Sequence, residues 1–458
     1  MKNKKNFLNP FVFPVFLFAV TIMVGTLVLH LPISLAEDEI SWVDALFTAT
    51  SATCVTGLIV VDTGSFFSEF GQWVILVLIQ LGGLGIMTYA SLIFFLWRKK
   101  ISITDNIAVG QTLLHSAGFR LGKFLQKMVL TVIGIEVVGA VVMHFLSPVE
   151  FTFFSSAFHS VSAFCNAGFS LFPDSLSRFQ GNWPVNLCFI ALIILGGLGF
   201  GVIMEVSGLY HPTLSRGKPG ITKKRKISWH SRIVVQTTLF LILFGWAVFL
   251  FTEPVGGIEK SGTGWGAHIL ASLFQSVTSR TAGFNTVEIG GMTNASLLIL
   301  ILLMFIGGSP ASCAGGIKTT TFRSLLAFAW SSIRGRRQVV IGKFALNRET
   351  VNKLMALVIF SLVIIFTSAF VLLIIEGQKL PHSHSHGIFI KTLFECVSAF
   401  ATVGLSTGIT SDLSTAGKLV ITVLMFTGRL GLILFLSLLQ SWQRPEHFSR
   451  AEETLMVG

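Results

Sequence analysis

Long and short apolar segments alternate along this chain of 458 residues, and the alternation restricts the folds that it can adopt. A helix needs about 20 apolar residues to cross the roughly 30 Å hydrocarbon core of a membrane. Eight segments are long enough, near 11–31, 72–96, 126–146, 184–206, 233–252, 292–320, 354–375 and 418–440. Four stretches too short to span, which fit re-entrant helices, lie between them near 43–54, 153–165, 267–279 and 390–401. The pattern predicts an all-α polytopic membrane protein with eight transmembrane helices.

The composition agrees with this class. Hydrophobic residues make up 52% of the chain and charged residues 12%, whereas a soluble domain carries about 25% charged residues. The five cysteines show neither a disulfide framework nor the spacing of a zinc site. No nucleotide-binding or hydrolytic motif appears in a credible context, and Glu136, His144 and Glu205 are too dispersed to form a membrane-embedded catalytic site. We therefore expect no enzymatic activity and no cofactor.

Each short segment runs into a glycine, and the four endings resemble one another. They read LFTATSATCVTG to Gly57, AFHSVSAFCNAG to Gly168, LFQSVTSRTAG to Gly283 and LFECVSAFATVG to Gly404. The intervals between these glycines are 111, 115 and 121 residues, and the third copy is one residue shorter and contains Arg280. Similar segments at near-equal spacing indicate an internal repeat rather than four unrelated helices.

The repeat divides the chain into four membrane–pore–membrane units, which we expect to surround a central pore with pseudo-four-fold symmetry. The units are predicted at residues 7–100, 120–210, 232–335 and 350–442. A basic cytoplasmic linker at 211–231 separates the second unit from the third, and a cytoplasmic tail follows at 443–458.

The net charge of +12 follows from the predicted membrane topology. Of the 33 Lys and Arg residues, 24 lie in regions assigned to one side, at 1–10, 97–127, 208–232, 330–353 and 441–458. The positive-inside rule places these regions, and with them both termini, in the cytoplasm. Nucleic acid is therefore not an expected partner. The KKRK run at 223–226 contacts anionic lipid or a cytosolic partner, or is simply a solvated loop.

The glycine turns predict an ion filter. Lipid cannot satisfy the backbone at the end of a non-spanning helix, so such turns must be buried in protein or line a watery cavity. Glycine allows positive φ and close backbone approach, and the negative end of each helix dipole favours a cation. The four turns contain no acidic residue, which disfavours divalent cations and favours a monovalent ion held by backbone carbonyls. The predicted filter comprises Val55, Thr56, Gly57, Asn166, Ala167, Gly168, Thr281, Ala282, Gly283, Thr402, Val403 and Gly404.

The fourth copy, Thr402-Val403-Gly404-Leu405-Ser406, is close to the TVGYG filter of potassium channels. Together with the other three glycine turns, it makes the chain resemble the Trk/Ktr/HKT superfamily of potassium transporters over residues 7–440. The chain looks most like the bacterial Ktr-type membrane subunit, because its first spanning helix leads directly into the first pore segment. Trk-type subunits usually have two extra helices before it.

The resemblance implies potassium uptake across the bacterial cytoplasmic (inner) membrane, with potassium held by the filter carbonyls and sodium as a possible co-ion or activator. It implies a homodimer with one pore per subunit and a cytosolic nucleotide-binding regulatory ring on the basic loops. In the family, glycine in the first turn accompanies potassium selectivity, whereas serine there accompanies sodium preference in some plant members. The alternative is a sodium-preferring or weakly selective monovalent cation transporter or channel.

The sixth long segment contains a predicted break. A continuous helix over residues 292–330 would measure about 58 Å, nearly twice the thickness of the core. Its middle is rich in glycine and contains a proline, both poor helix formers. The alternative is fraying at the cytoplasmic end of a helix. The resemblance implies a gate loop beneath the filter, and the predicted gate comprises Gly307, Gly308, Ser309, Pro310, Ala311, Ser312, Gly315, Gly316, Lys318 and Arg429.

Two arginines lie where charge is costly. Arg429 is in the middle of the eighth long segment, and an intramembrane charge usually faces a cavity or a partner. It could hydrogen-bond gate-loop carbonyls or repel a cation, or else form a buried ion pair with Glu136 or Glu205. Arg280 is expected to point behind the filter and to brace the loop against carbonyls or an acid such as Glu395.

Overall fold

The computed structural model describes residues 12–36, 39–85, 121–208, 227–253, 264–377 and 387–442. Within these ranges the chain is almost entirely helical. The α-helices are α1 (Val12–Leu29), α2 (Trp42–Cys54), α3 (Thr63–Phe66), α4 (Glu69–Gly83), α5 (Leu121–Leu146), α6 (Phe153–Cys165), α7 (Trp183–Leu198), α8 (Phe200–Val206), α9 (Trp229–Thr252), α10 (Trp265–Thr278), α11 (Asn294–Phe305), α12 (Thr319–Ile333), α13 (Arg348–Glu376), α14 (Ile388–Ala401) and α15 (Thr415–Trp442). A two-stranded antiparallel hairpin, β1 (Val340–Ile341) and β2 (Phe344–Ala345), precedes α13. Short 3₁₀ turns lie at Pro32–Ser34, Ser177–Phe179 and Ile289–Gly291.

Helices occupy the predicted long and short segments. In the described part of the chain, α5, α9 and α13 are long and apolar enough to cross a membrane, and the bent pair α7–α8 would be a fourth such span. Helices α1, α4 and α11 are apolar but shorter. The predicted short segments appear as α2, α6, α10 and α14, referred to below as the four short helices.

Two of the predicted long segments are not continuous: the one near 292–320, where the predicted break lies between α11 and α12, and the one near 184–206. The stretch near 184–206 was expected to be a single helix, but α7 and α8 meet at Gly199 with a bend of 104°. Gly199 has a φ of +89°, a conformation that interrupts a right-handed helix. This bend was not predicted from the sequence.

Several predictions fall outside the described residues. They concern residues 86–96 of the segment predicted near 72–96, residues 211–226 of the predicted linker 211–231, and the predicted tail 443–458.

Local sequence sets where the short helices begin and end. Ser41 caps α2 by accepting a hydrogen bond from the Asp44 N–H at 3.0 Å, and Thr152 caps α6 by accepting one from the Ser155 N–H at 3.3 Å. A side-chain oxygen of this kind satisfies one of the free donors of the first helical turn. At the other end, α2, α6 and α14 stop at a residue in the left-handed conformation.

The long helices are arranged around the short ones in a cycle. The helices α4, α7, α11 and α15 each contact the short helix of the next unit, in the pairs α4 with α6, α7 with α10, α11 with α14 and α15 with α2. Within their own units, α4, α7 and α15 contact the short helix, and α11 contacts α9. An ion pair of 2.7 Å between Lys418 and Asp44 joins α15 to α2. The last unit is thereby joined to the first.

Glycines permit this close packing. A Cβ atom added at Gly196 would lie 2.9 Å from the carbonyl carbon of Phe164, and one added at Gly428 would lie 2.6 Å from that of Phe400. Both carbonyls belong to the last turn of a short helix. Small residues let helix backbones approach closely in membranes. Gly196 and Gly428 therefore let their long helices pack closely on the short helices of their own units.

We expect Gly196→Ala and Gly428→Ala to lower the melting temperature of the detergent-solubilised protein, because each methyl group would press on backbone. Overpacking typically costs about 1–3 kcal/mol. Gly134 on α5 has open space at its Cβ position, so Gly134→Ala is the matched control and should be neutral or slightly stabilising. Equal melting temperatures for the three variants would contradict this account of the packing.

Candidate functional site

The four glycine turns share one backbone conformation. The residue two places before each glycine and the glycine itself both have positive φ, whereas the residue between them does not. The values are 57° and 88° for Val55 and Gly57, 58° and 71° for Asn166 and Gly168, 76° and 79° for Thr281 and Gly283, and 51° and 90° for Thr402 and Gly404. Non-glycine residues adopt positive φ rarely and at a cost, and such residues concentrate at functional sites.

The four glycines form a closed ring. A Cβ atom added at Gly57 would lie 3.0 Å from the Cα of Gly168, one at Gly168 would lie 2.9 Å from the Cα of Gly283, and one at Gly283 would lie 3.3 Å from the Cα of Gly404. One added at Gly404 would lie 3.0 Å from the Cα of Gly57, which closes the cycle. The ring therefore has no room for a side chain at any of its four glycines.

Backbone oxygens lie between the members of this ring. Each glycine faces the carbonyl oxygen of the residue that precedes the next glycine. The oxygens, in the order of the ring from Gly57, belong to Ala167, Ala282, Val403 and Thr56. All the predicted filter residues except the glycines are fully buried, at 0% exposure, so these oxygens are held in a rigid setting.

A hydroxyl on each short helix supports the turn that follows. The N–H groups of Gly57 and Gly404 donate to the Oγ atoms of Ser51 and Ser398, each at 3.1 Å. In the other two copies the hydroxyl donates to the carbonyl one residue beyond the glycine. These bonds join Ser162 to Phe169 at 2.7 Å and Thr278 to Phe284 at 2.5 Å. This support could have been predicted from the sequence, because the Ser or Thr stands six residues before the glycine in three copies and five residues before it in the shorter third copy.

A cavity of about 760 Å³ opens on the far side of the ring from the short helices. It is lined by all four ring glycines and by the segments that follow them, and its acidic lining residues are Asp62, Asp174 and Glu288. Arg178 binds Asp174 at 2.7 Å and Glu150 at 3.1 Å. These two carboxylates raise the pKa of the Arg178 guanidinium above its ordinary value.

On the opposite side of the ring lies the gate loop, residues 307–316. Its base is closed by hydrogen bonds from the Ile317 N–H to the Phe305 carbonyl at 3.1 Å and from the Thr319 N–H to the Gly308 carbonyl at 3.0 Å. A Cβ atom at Gly315 would lie 3.1 Å from the carbonyl carbon of Ala401. The loop therefore packs directly beneath the start of the fourth turn.

Three basic side chains donate to carbonyls of this loop. The two terminal nitrogens of Arg429 bind the carbonyl of Cys313 and, at 2.8 Å, that of Gly82 on α4. The Lys318 Nζ atom donates to the Ala314 carbonyl at 2.6 Å. Arg280 reaches the Gly307 carbonyl at 3.4 Å. Three side chains from outside the loop therefore place positive charge against its carbonyls.

The bend between α7 and α8 is bound to the same loop. The Ser309 N–H donates to the Gly197 carbonyl at 3.0 Å, and the Phe200 N–H donates to the Ala311 carbonyl at 3.0 Å. The Ser309 hydroxyl also donates to the Leu198 carbonyl. The bend therefore supplies backbone partners for a loop that has little regular structure of its own.

These contacts decide between the alternatives for the two arginines. Arg429 binds loop carbonyls and is not paired with Glu136 or Glu205 in the described part of the chain. The suggested pairing of Arg280 with Glu395 is wrong, because Arg280 binds Gly307. Glu395 instead accepts hydrogen bonds from residues that follow the fourth turn.

Comparisons with known proteins agree on one family. The TrkH family, described as cation transport protein, matches residues 17–445. The Ktr system potassium uptake protein B of Bacillus subtilis is 39% identical, over 91% of this chain and 90% of the relative. The protein of the same name from Vibrio alginolyticus is 34% identical, over 95% and 92%. The potassium/sodium uptake protein NtpJ of Enterococcus hirae is 34% identical, over 96% and 95%.

A solved structure shares the fold. The crystal structure of the potassium transporter TrkH from Vibrio parahaemolyticus superposes with a TM-score of 0.69 over 97% of this chain and 88% of that chain, at 19% sequence identity. Together with the family match over residues 17–445, these findings confirm the resemblance carried by the glycine motifs: the chain is a membrane protein that belongs to the TrkH family of cation transport proteins.

Proposed function

We propose that this chain takes up potassium across the bacterial cytoplasmic membrane, with the glycine ring acting as a filter of backbone carbonyls. The observation that carries the proposal is the cycle in which each glycine faces the carbonyl oxygen preceding the next one. Carbonyl oxygens arranged in a ring can replace the hydration shell of an alkali cation. Two relatives are named as potassium uptake proteins and a third as a potassium/sodium uptake protein, which supports potassium as the cargo. In this role the chain is a transporter and not an enzyme.

The proposed pore has eight spanning helices in four repeats around a pseudo-four-fold axis. The cyclic packing of α4, α7, α11 and α15 on the short helices supports this arrangement. An ion would enter the acid-lined cavity, lose water at the ring and then meet the gate loop. The membrane potential assists inward movement by about 2.3 kcal/mol per charge per 100 mV.

We assign the gate to the loop 307–316 together with Lys318 and Arg429. The loop carries no charge of its own, but these two side chains place positive charge on its carbonyls. A cation leaving the ring would meet both a narrowed path and repulsion. Opening would require the loop to leave these side chains and its backbone partners at the α7–α8 bend.

The proposal extends to partners and topology. We propose a homodimer with one pore per subunit and with both termini in the cytoplasm. Two relatives are named as parts of a Ktr system, which supports a separate partner subunit. A cytosolic nucleotide-binding ring on the basic loops would be that partner, and sodium would act as co-ion or activator.

A second candidate is a sodium-preferring or weakly selective transporter of monovalent cations, favoured by the potassium/sodium name of the Enterococcus hirae relative. Uptake in a bacterium lacking its own potassium uptake systems separates the two. Potassium accumulation that persists in a large excess of sodium supports the first, whereas sodium uptake without potassium uptake supports the second.

We expect Gly57→Ser to weaken the preference for potassium over sodium. The φ of +88° strains any side chain, and the new Cβ would press on the backbone of the second turn at Gly168. Uptake of each ion by cells expressing equal amounts of protein measures the effect, and Gly404→Ser should behave alike. Gly264 has open space at its Cβ position, so Gly264→Ala is the control. An unchanged preference in both serine variants would refute the filter assignment.

We expect Arg429→Gln, and likewise a deletion within 309–314, to raise ion leak. The arginine substitution removes charged hydrogen bonds to the gate loop and to α4. Such bonds contribute about 1.5–3 kcal/mol, so basal uptake should rise about tenfold or more. Exposed Arg323 on α12 provides the control Arg323→Gln. Flux that matches wild type in both gate variants would show that the gate lies elsewhere.

A further inference from the structure

One position on the short helices carries four different polar residues. It lies nine residues before the glycine, or eight in the shorter third copy. The occupants are Thr48, His159, Gln275 and Glu395. All four are buried, with exposures of 2%, 0%, 0% and 0%. Burying a polar group without a hydrogen-bond partner costs free energy, so the presence of a polar side chain at this position in all four copies calls for an explanation.

Glu395 binds the segment that follows the fourth turn. Its Oε1 atom accepts hydrogen bonds from the Ser406 hydroxyl at 2.5 Å and from the Thr407 N–H at 3.0 Å. Its Oε2 atom accepts one from the Thr410 hydroxyl at 3.0 Å. A single carboxylate on the short helix therefore holds three residues on the cavity side of the ring.

His159 makes the corresponding contacts after the second turn. Its Nε2 atom lies 3.0 Å from the Ser170 hydroxyl and 3.3 Å from the Leu171 nitrogen. The Leu171 N–H can only donate, so Nε2 is the acceptor and the ring proton is on Nδ1. That assignment suits the 2.8 Å contact of Nδ1 with the Ser155 carbonyl.

The two networks match residue for residue. In both, the side chain binds a serine two residues after the glycine and the N–H three residues after it. Each serine also accepts a hydrogen bond from the N–H two residues further on, from Phe172 at 3.0 Å and from Gly408 at 2.9 Å. A histidine and a glutamate thus perform the same task in two copies of the repeat.

The first and third copies have no such network among the described residues. The Thr48 hydroxyl and the Gln275 Oε1 atom lack hydrogen-bond partners. The Gln275 Nε2 atom contacts only the Met292 sulfur, at 3.8 Å. In the cyclic order of the ring, the second and fourth turns lie opposite each other, and each neighbours the first and third. The supported turns therefore form one diagonal of the ring.

We propose that His159 and Glu395 are positioning residues that set the ion preference of the ring, an inference that rests on the function proposed above. In the cavity-size view of selectivity, a smaller ion is held well only if the carbonyls around it move inward. Anchoring the backbone on two opposite sides resists that movement and so disfavours sodium. Neither side chain needs to touch the ion, and the effect on ion preference does not depend on the charge of Glu395.

The test compares four variants in potassium and sodium uptake by cells that lack their own potassium uptake systems. Glu395→Leu and His159→Leu remove the hydrogen bonds. Glu395→Gln removes the charge but retains an acceptor oxygen for Ser406 and Thr407. Thr48→Val is the matched control, because it changes the same repeat position where the hydroxyl has no partner.

We expect Glu395→Leu and His159→Leu each to lower the potassium-to-sodium preference about tenfold, equivalent to about 1.4 kcal/mol. Glu395→Gln and Thr48→Val should stay near the wild-type ratio. If Glu395→Gln lowers the potassium-to-sodium preference as much as Glu395→Leu does, the charge of Glu395 and not its positioning role sets the preference, and the inference is overturned. Unchanged ratios in both leucine variants also overturn it, while potassium uptake by those cells leaves the proposed function intact.

If a leucine variant fails to reach the membrane, Ser406→Ala and Ser170→Ala make the same test with smaller changes. Each removes one hydroxyl that binds the positioning residue. The same fall in preference supports the inference, and wild-type ratios in both contradict it. Wild-type cells that accumulate no potassium would contradict the proposed function itself, which is a different result.

Discussion

Backbone groups at membrane depth must find partners, and this requirement governs the centre of the structure. Four short helices end there, where no further helical turn continues. Hydroxyls of the same helices satisfy part of the backbone that follows, for example Ser398 beneath Gly404 and Ser162 beneath Phe169. The carbonyls that precede the glycines are instead turned toward the neighbouring turns. The arrangement that satisfies the turn thus leaves oxygens at the ring, as the proposed binding of an alkali cation requires.

Bringing four turns together demands that the helices around them approach closely, and glycines of the long helices permit this at several of the contacts. On the first long helices, added Cβ atoms at Gly139 and Gly245 would meet the hydroxyls of Ser160 and Ser276. Those hydroxyls donate to backbone carbonyls of the same long helices, at 2.6 and 2.7 Å. Glycines such as Gly196 pack against the opposite side. The position of the ring is therefore fixed by helix packing well away from it.

The sequence was sufficient to locate the short helices and the glycines, because hydrophobic length and internal repetition are local properties of a chain. The prediction of 390–401 corresponds to the helix Ile388–Ala401. It was not sufficient for the bend at Gly199, since the partner that stabilises it, Ser309, is 111 residues away from Leu198. The expectation that Arg280 binds carbonyls or an acid included the kind of partner that it has, but the sequence could not select the carbonyl of Gly307, because only the tertiary structure brings one particular carbonyl close. The proposed roles of His159 and Glu395 left one sign in the sequence: the two residues occupy the same position of the repeat, which carries a different residue in each copy.

The ring and the gate loop use one chemistry in two ways. Backbone carbonyls without helical partners occur in both, but those of the loop are already hydrogen-bonded by the positively charged side chains of Lys318 and Arg429, which lie outside the loop in the sequence. A tethered ammonium or guanidinium satisfies those oxygens without leaving, so the loop gains nothing by binding a passing ion. In the proposed gate the same side chains would also repel that ion, because their charge is carried into a poorly screened setting. Under the proposed function, closing the path and stabilising an irregular loop at membrane depth would be one physical event, and any change that opens the path would first have to supply other partners for the loop.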